Sequence, residues 1–267
     1  MDAALEEIEF LARSPNRVEV LRLCAAGPST RSELADETGV SQATLGRILG
    51  DFADRSWITR DGSQYEATVT GRLVAAAVSD LLAALETERR LRDVVEYLPT
   101  DGPAADLDPR HLADATITTP SRTRPGAPLN RLLEFLPDAE TVRTVSHAFN
   151  EQTLDVVETQ TAAGEQTFTG VFTYEAIDAL RRDDELRGRL EQLLGHESAA
   201  VSVVEAVPVA VMTVDDVVYV LLRDDEGILR GSIDTDDPDV RMWAEDLIDE
   251  YVAEARELSP ADIVDGE

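Results

Sequence analysis

Apolar residues recur at helical spacing along the first third of the chain and in short continuous runs along the rest. In residues 2–13, Leu5, Ile8 and Leu11 fall on one helical face, and Ser14–Pro15 ends the run. A second helix over about 16–26 stops at Gly27–Pro28. Thr30 with Glu33 three residues later is a capping-box pattern, in which hydroxyl and carboxylate each satisfy a free backbone amide, so a short helix is predicted over 31–38. Gly39–Val40 turns the chain, and Ser41 caps a helix over 42–54 that buries Leu45, Ile48, Leu49 and Phe52. Trp57–Arg60, Asp61–Gly62 and Gln64–Thr68 read as strand, tight turn and strand.

Residues 70–97 predict one long helix, with Val74, Val78, Leu81, Leu85, Leu91, Val94, Val95 and Leu98 along a seam that Glu88 and Arg89 interrupt. Pro99–Pro103 is a linker. Beyond it, β-branched segments at 115–119, 141–146, 166–173, 200–204, 208–214, 216–222 and 227–233 read as strands, and stretches at 126–136, 150–163, 174–194 and 238–257 as helices. The fold class expected is α+β. A winged helix-turn-helix domain (1–69) leads through a linking, dimerising helix (70–98) to an α/β effector-sensing domain with a mixed sheet (104–257) and a loose tail (258–267).

Charge narrows the function classes. There are 54 acidic residues against 24 basic ones, a net charge of −30, and every basic residue is arginine. Regularly spaced apolar positions exclude a disordered acidic tail, and the charge excludes a basic nucleic-acid coat. No run of about 18 apolar residues is present to span a bilayer, and the acidic start is no signal peptide, so a cytoplasmic protein without a membrane partner is expected. Acidity spread evenly, with arginine in place of lysine, reads as a solubility device of a salt-accumulating cell, where screening removes most of the self-repulsion. Cys24 is the single cysteine, which excludes an internal disulfide and a multi-cysteine zinc site and reads as a buried structural thiol.

Residues 31–68 carry the strongest chemical signal. Ala35, Val40, Leu45 and Leu49 are spaced to meet in a small core that sets two helices at a steep angle, so that the second enters a major groove by its amino end. Ser41, Gln42, Ala43, Thr44, Gly46 and Arg47 then face outward, with Gln42 suited to adenine and Arg47 to guanine or phosphate. Gly46 and Gly50 fit a close approach to another surface. Arg31 precedes this face, and Arg60 at the wing turn is placed for phosphate or minor groove. Residues 10–60 hold seven arginines and six carboxylates, whereas residues 73–267 hold 16 and 42, so this region repels a polyanion least. Double-stranded DNA bound by a homodimer is therefore the expected partner. A winged fold used only for protein contacts is the alternative.

The chain, from EEIEFLARSPNRVEVL (6–21) to DDPDVRMWAEDLIDEY (236–251), resembles haloarchaeal winged-helix transcriptional regulators, with ATLGRIL (43–49) and DFADRSWI (51–58) as the most telling segments. Its second half is similar to the middle domain of a methanogen regulator and, more remotely, to the sensor domain of TrmB-type, sugar-responsive archaeal regulators, which look like degenerate phospholipase-D folds. The resemblance implies a DNA-binding regulator, and the residues argue against an enzyme. Phospholipase-D chemistry needs a histidine nucleophile and a lysine for the phosphate. The comparable strand pair, residues 207–222, holds no histidine, and the chain holds no lysine.

No catalytic residue, cofactor or metal is expected elsewhere. His111, His147 and His196 lack metal-ligand spacing, no Gly-rich phosphate loop follows a strand, and Asp215–Asp216 reads as a turn. A small-molecule effector is expected at the carboxyl ends of the strands. That places Ser146, His147, Ala148 and Asn150 after one strand and Thr173 and Tyr174 after the next. Arg122 and Arg124 form a basic pair suited to a carboxylate or phosphate near a helix starting around Gly126.

Overall fold

The computed structural model describes residues 2–100, 102–224 and 226–264. The chain divides into two compact units, Met1–Glu86 and Thr87–Glu267.

The first unit opens with α1 (Asp2–Ala12) and α2 (Pro15–Ala26), followed by β1 (Ser29–Thr30), α3 (Arg31–Thr38) and α4 (Gln42–Asp54). The hairpin β2 (Ile58–Asp61) and β3 (Gln64–Ala67) comes next, and then the first part of α5 (Val69–Leu91). The predicted capping box is present: Thr30 accepts the Glu33 amide while the Glu33 carboxylate accepts the Thr30 amide at 2.7 Å. Gly39 ends α3 at φ 65°, a conformation that costs glycine nothing. Asp61 pairs with Gln64, so the hairpin turns on Gly62 and Ser63 instead of Asp61–Gly62, and β1 adds an unforeseen third strand beside β3. Leu21, Leu34, Leu45 and Phe52 are buried at the centre, with Trp57 tilted against Phe52 at 5.7 Å between ring centroids. Leu34 fills the place expected for Ala35, which is only half-buried.

Cys24 belongs to the same core. Burial pushes its thiol up to about 11, so near neutral pH almost none is thiolate, the form that attacks. The native protein is expected to resist a disulfide reagent that labels the single thiol at once in denaturant. Rapid labelling of the folded chain would refute this placement.

The seam helix is shorter than its pattern. It ends at Leu91, and residues Val95–Tyr97 form one 3-10 turn. Leu91 and Val94 are drawn into a core of the second unit, where Gly231 makes room: a Cβ there would lie 2.8 Å from Val94 Cγ1. Tertiary packing thus ends α5 before the local propensity runs out.

The second unit contains β4 (Thr116–Thr118), α6 (Ala127–Leu133), β5 (Thr141–Ser146), α7 (Glu151–Ala163), β6 (Thr167–Thr173), α8 (Tyr174–Arg181), α9 (Asp184–Leu194) and β7 (Ala199–Val204). It continues through β8 (Ala210–Val214), β9 (Val217–Arg223), β10 (Leu229–Thr235), α10 (Pro238–Glu254), β11 (Arg256–Glu257) and α11 (Pro260–Val264). The result is the expected mixed sheet, eight strands in the order β11-β7-β6-β5-β8-β9-β10-β4. β5, β6 and β7 run parallel, and the other pairings are antiparallel. β9 therefore ends on the same edge as β5, β6 and β7. One face packs on α6 to α9 around Leu132, Leu154, Phe168 and Leu190, and the other packs on α10 around Val145, Val220 and Ile248.

Two expectations change here. The stretch 174–194 is two helices, because Asp183 accepts the amides of Glu185 and Leu186 and starts α9 anew. Residues 258–264 are not loose: β11 pairs with β7, and Leu258 and Ile263 are buried in the core. Residues 265–267 lie outside the described residues. Asp215 stands at φ 50° in the β8–β9 turn, and its carboxylate accepts the amides of Glu140 and Thr141, which accounts for it as a turn residue.

Candidate nucleic-acid interface and cavity

The Ser41 hydroxyl accepts the Thr44 amide at 3.3 Å and starts α4. Leu45, Ile48, Leu49 and Phe52 bury one face of the helix. Gln42, Ala43 and Arg47 are exposed, and Thr44 and Gly46 are half-exposed. A Cβ at Gly46 would lie 2.6 Å from Nη2 of Arg31, and that nitrogen donates to the Gln42 carbonyl. Gly46 thus makes room for an arginine laid across the start of α4, whereas Gly50 meets nothing within 4 Å. Arg60 folds back onto its own wing: its Nε donates to the Gly62 carbonyl at 2.9 Å, and its guanidinium lies 5.4 Å from the Tyr65 ring centre.

Charge pairing separates these arginines from the rest of their unit. Arg13, Arg17, Arg22, Arg55 and Arg72 each pair with a carboxylate, namely Glu9, Asp51, Glu19, Glu7 and Glu66. Among the described residues of the unit, three arginines have no carboxylate partner: Arg31, Arg47 and Arg60. They are the three on α3, α4 and the wing.

In the second unit, the sheet face under α6 and α7 encloses a cavity at the carboxyl ends of the strands. Thr144, Met212, Leu221 and Arg223 form its floor, and Leu132, Phe149 and Val157 cover it. The void is narrow, with about 40 Å³ open to the centre of a water molecule. Ser146 and Asn150 line it, whereas His147 and Thr173 line a wider cleft that shares Ala148, Phe149 and Leu154 with it.

The polar groups expected to take a ligand are mostly used locally. Ser146 donates to the Ala148 carbonyl at 2.8 Å and accepts its amide, while Asn150 and Thr173 cap α7 and α8. Arg122 and Arg124 line neither space. Their segment is an exposed turn closed by hydrogen bonds between Ser121 and Arg124, ahead of α6, which is only two turns long.

Two groups with unmet hydrogen-bonding capacity remain. Nε of Arg223 and Nδ1 of His147 are both buried without partners. Burial, and then the nearby charge of Arg223, hold the His147 imidazole below its ordinary value and so neutral, while burial lowers the guanidinium as well. Sequence reasoning passed over Arg223. Its only signal was a cation at the carboxyl end of an otherwise apolar strand.

His111 is not isolated as its sequence spacing suggested. Its Nδ1 lies 3.2 Å from Asp239 and 3.7 Å from Asp237, and the ligand atoms of the three fall within 4.8 Å of one another. Asp237 already caps α10, and the three side chains form a partly exposed polar cluster.

The first unit is thus a winged helix-turn-helix, and the second is a mixed sheet covered by helices. Residues 5–90 match the HVO_A0261 N-terminal domain, and residues 125–254 match the middle domain of the methanogenesis regulatory protein FilR1. The first match spans α1 to α5 and the second spans α6 to α10. No curated protein matches it over its sequence. Among solved structures, it is similar to TrmBL2, an archaeal chromatin protein, at 13% identity over 94% of this chain and 98% of that one, with a TM-score of 0.43. It is also similar to NucT from Helicobacter pylori (12% identity, 54% of this chain, 98% of that one, TM-score 0.44). A third likeness is to Nuc, a phospholipase D family member from Salmonella typhimurium (9%, 54%, 99%, TM-score 0.43). Likenesses this distant establish neither a shared activity nor a shared ligand.

Proposed function

We propose that the chain is a non-catalytic transcriptional regulator that binds promoter DNA as a homodimer through α4 and the wing. The observation that carries this reading is the charge pairing of the first unit. Five arginines of the unit are held by carboxylates, and Arg31, Arg47 and Arg60, on α3, the exposed side of α4 and the wing, have none among the described residues and are left for another anion. Phosphate contacts from Arg31 and Arg60 would set the register, and Gln42 and Arg47 would read base edges. Val69, Leu73, Leu81, Leu82 and Leu85 of α5 are exposed apolar residues, which supports α5 as the dimer element. Two recognition helices related by a twofold axis would meet DNA about 34 Å apart. The Thr87–Glu267 unit would take a small effector and change DNA affinity by as much as the effector's affinity differs between two arrangements. The net charge of −30 without lysine supports a salt-rich cytoplasm as the setting.

Selection of fragmented host genomic DNA on the purified chain in multimolar KCl tests this reading. Enrichment of a few palindromic promoter sites is the expected result. Failure to enrich any fragment, at any salt, would favour the protein-contact alternative.

A further inference from the structure

Arg223 stands where an arginine is costly. It ends β9, whose Tyr219, Leu221 and Arg223 alternate onto the sheet face beneath α6 and α7. No carboxylate among the described residues pairs with it. Its neighbour Asp224 is held by Arg230 at 2.6 Å and accepts the amides of Glu226 and Ile228. One guanidinium nitrogen donates to the Gly227 carbonyl at 2.8 Å, while Nε is buried with no acceptor. A half-buried cation whose Nε is shut off from water in an apolar wall is costly unless an anion meets it, and the described residues supply none.

We propose that the cavity binds a small organic monoanion, a carboxylate on a short apolar chain or ring, with Arg223 as its counter-charge. The proposal rests on the reading of Thr87–Glu267 as an effector-binding unit and gives that effector its chemistry. Leu132, Phe149, Val157, Met212 and Leu221 offer an apolar body its contacts. The planar fork of arginine suits a carboxylate, and the orphan Nδ1 of the neutral His147 lies in the adjoining cleft as a second polar group. A sugar is a poor match, because Thr144, Ser146 and Asn150 spend hydrogen bonds on backbone groups and leave few partners for a ring of hydroxyls. Polyanions are disfavoured as well. Glu151, Glu175, Glu205, Asp224 and Glu226 line the wider cleft beside the cavity and repel multiple negative charge. The narrow void sets the scale at a few heavy atoms unless Phe149, stacked on Phe172 at 4.2 Å, moves aside.

The test is titration calorimetry of the full chain in molar KCl with butanoate and benzoate, each against its neutral alcohol. At least one carboxylate is expected to bind the wild-type chain about tenfold or more tightly than its alcohol. Arg223→Gln should erase that preference, and Arg223→Lys should keep part of it. Ala210→Leu, which fills the cavity from β8 and leaves Arg223 in place, should abolish binding. Thermal unfolding run alongside shows whether each variant folds, and Ala210→Leu with Arg223→Lys carries the test if Arg223→Gln does not. Absence of binding to the wild-type chain, or equal binding of acid and alcohol, overturns the proposal. DNA affinity is measured separately: DNA binding without carboxylate binding sinks this site and leaves the regulator reading standing. Carboxylate binding without any change in DNA affinity upholds the site and sinks the effector role.

Discussion

Arg47→Ala is expected to weaken binding to the selected promoter site by about five- to a hundredfold, the range for one arginine that contacts a base edge or phosphate. The expectation follows from position and from pairing. Arg47 is exposed on α4, and no carboxylate among the described residues neutralises it. The control is Arg13→Ala, which removes an equal charge just after α1 that Glu9 already holds at 2.6 Å. Loss with Arg47 and not with Arg13 separates a specific contact from a change in net charge. Repeating the titration at several KCl concentrations sorts the contact further. A phosphate contact lowers the salt slope by about one when removed, whereas a base contact relaxes discrimination at one position. A chain this acidic is expected to rely on base contacts and shape in molar salt, so a steep loss of wild-type affinity with KCl would contradict that part of the reading. Equal affinity of Arg47→Ala and wild type would sink the α4 assignment. Gly46→Ala belongs to the same series, because its Cβ would push Arg31 off the start of α4.

The largest expected loss of stability comes from Gly71→Ala. A Cβ at this position would lie 1.8 Å from the backbone carbonyl oxygen of Trp57, and backbone cannot swing away as a side chain can. The surrounding stitching leaves little slack. Thr68 donates its amide to the Trp57 carbonyl at 2.8 Å, Thr68 and Thr70 hydroxyls both donate to the Ser56 carbonyl, and the Gly71 amide donates to the Thr68 hydroxyl. Relief requires the start of α5 to lift away from the end of β3 and the Trp57 segment. The alanine gains roughly 1 kcal/mol of helix propensity, against an overpacking cost of about 3 kcal/mol or more. A lower denaturation midpoint with an unchanged denaturant slope is the expected record. Gly50→Ala is the matched control. It sits inside α4 with open space around it and is expected to stabilise by about 0.5–1 kcal/mol. If Gly71→Ala were as stable as wild type, the close approach of α5 to Trp57 would be wrong.

Much of the first unit was legible as pattern because its determinants are local. The capping box of Thr30 and Glu33, the Ser41 cap, the turn glycine at 39 and the apolar stripe of α4 each lie within one or two helical turns of the atoms they serve. The same holds for the alternation of strands and helices that made a mixed sheet the expected outcome. The places where the pattern misled share one cause, which is contact between distant segments. Leu91 and Val94 leave helical continuity to enter a core beside Gly231, Leu258 and Ile263 are pulled from a supposed tail into the sheet layer, and His111 meets Asp237 and Asp239.

The binding-site candidates divide along the same line. From the amino-acid sequence, the direction of the strands identified the edge of the sheet where a ligand would sit, since carboxyl ends of parallel strands face one side. It also placed Ser146, His147, Asn150 and Thr173 near that edge. Which polar atoms there remain unmatched is a matter of three-dimensional accounting, because a hydroxyl two residues from a helix start and an arginine at a strand end look equally available in one dimension. Folding commits Ser146, Asn150 and Thr173 to nearby backbone groups and leaves the Arg223 guanidinium without a carboxylate among the described residues. The sequence by itself determined most of the elements, several of their caps and the exposed side of α4, all set by neighbours along the chain. Only the tertiary structure decided which charges are neutralised and which are left open, because that depends on residues that folding alone brings together.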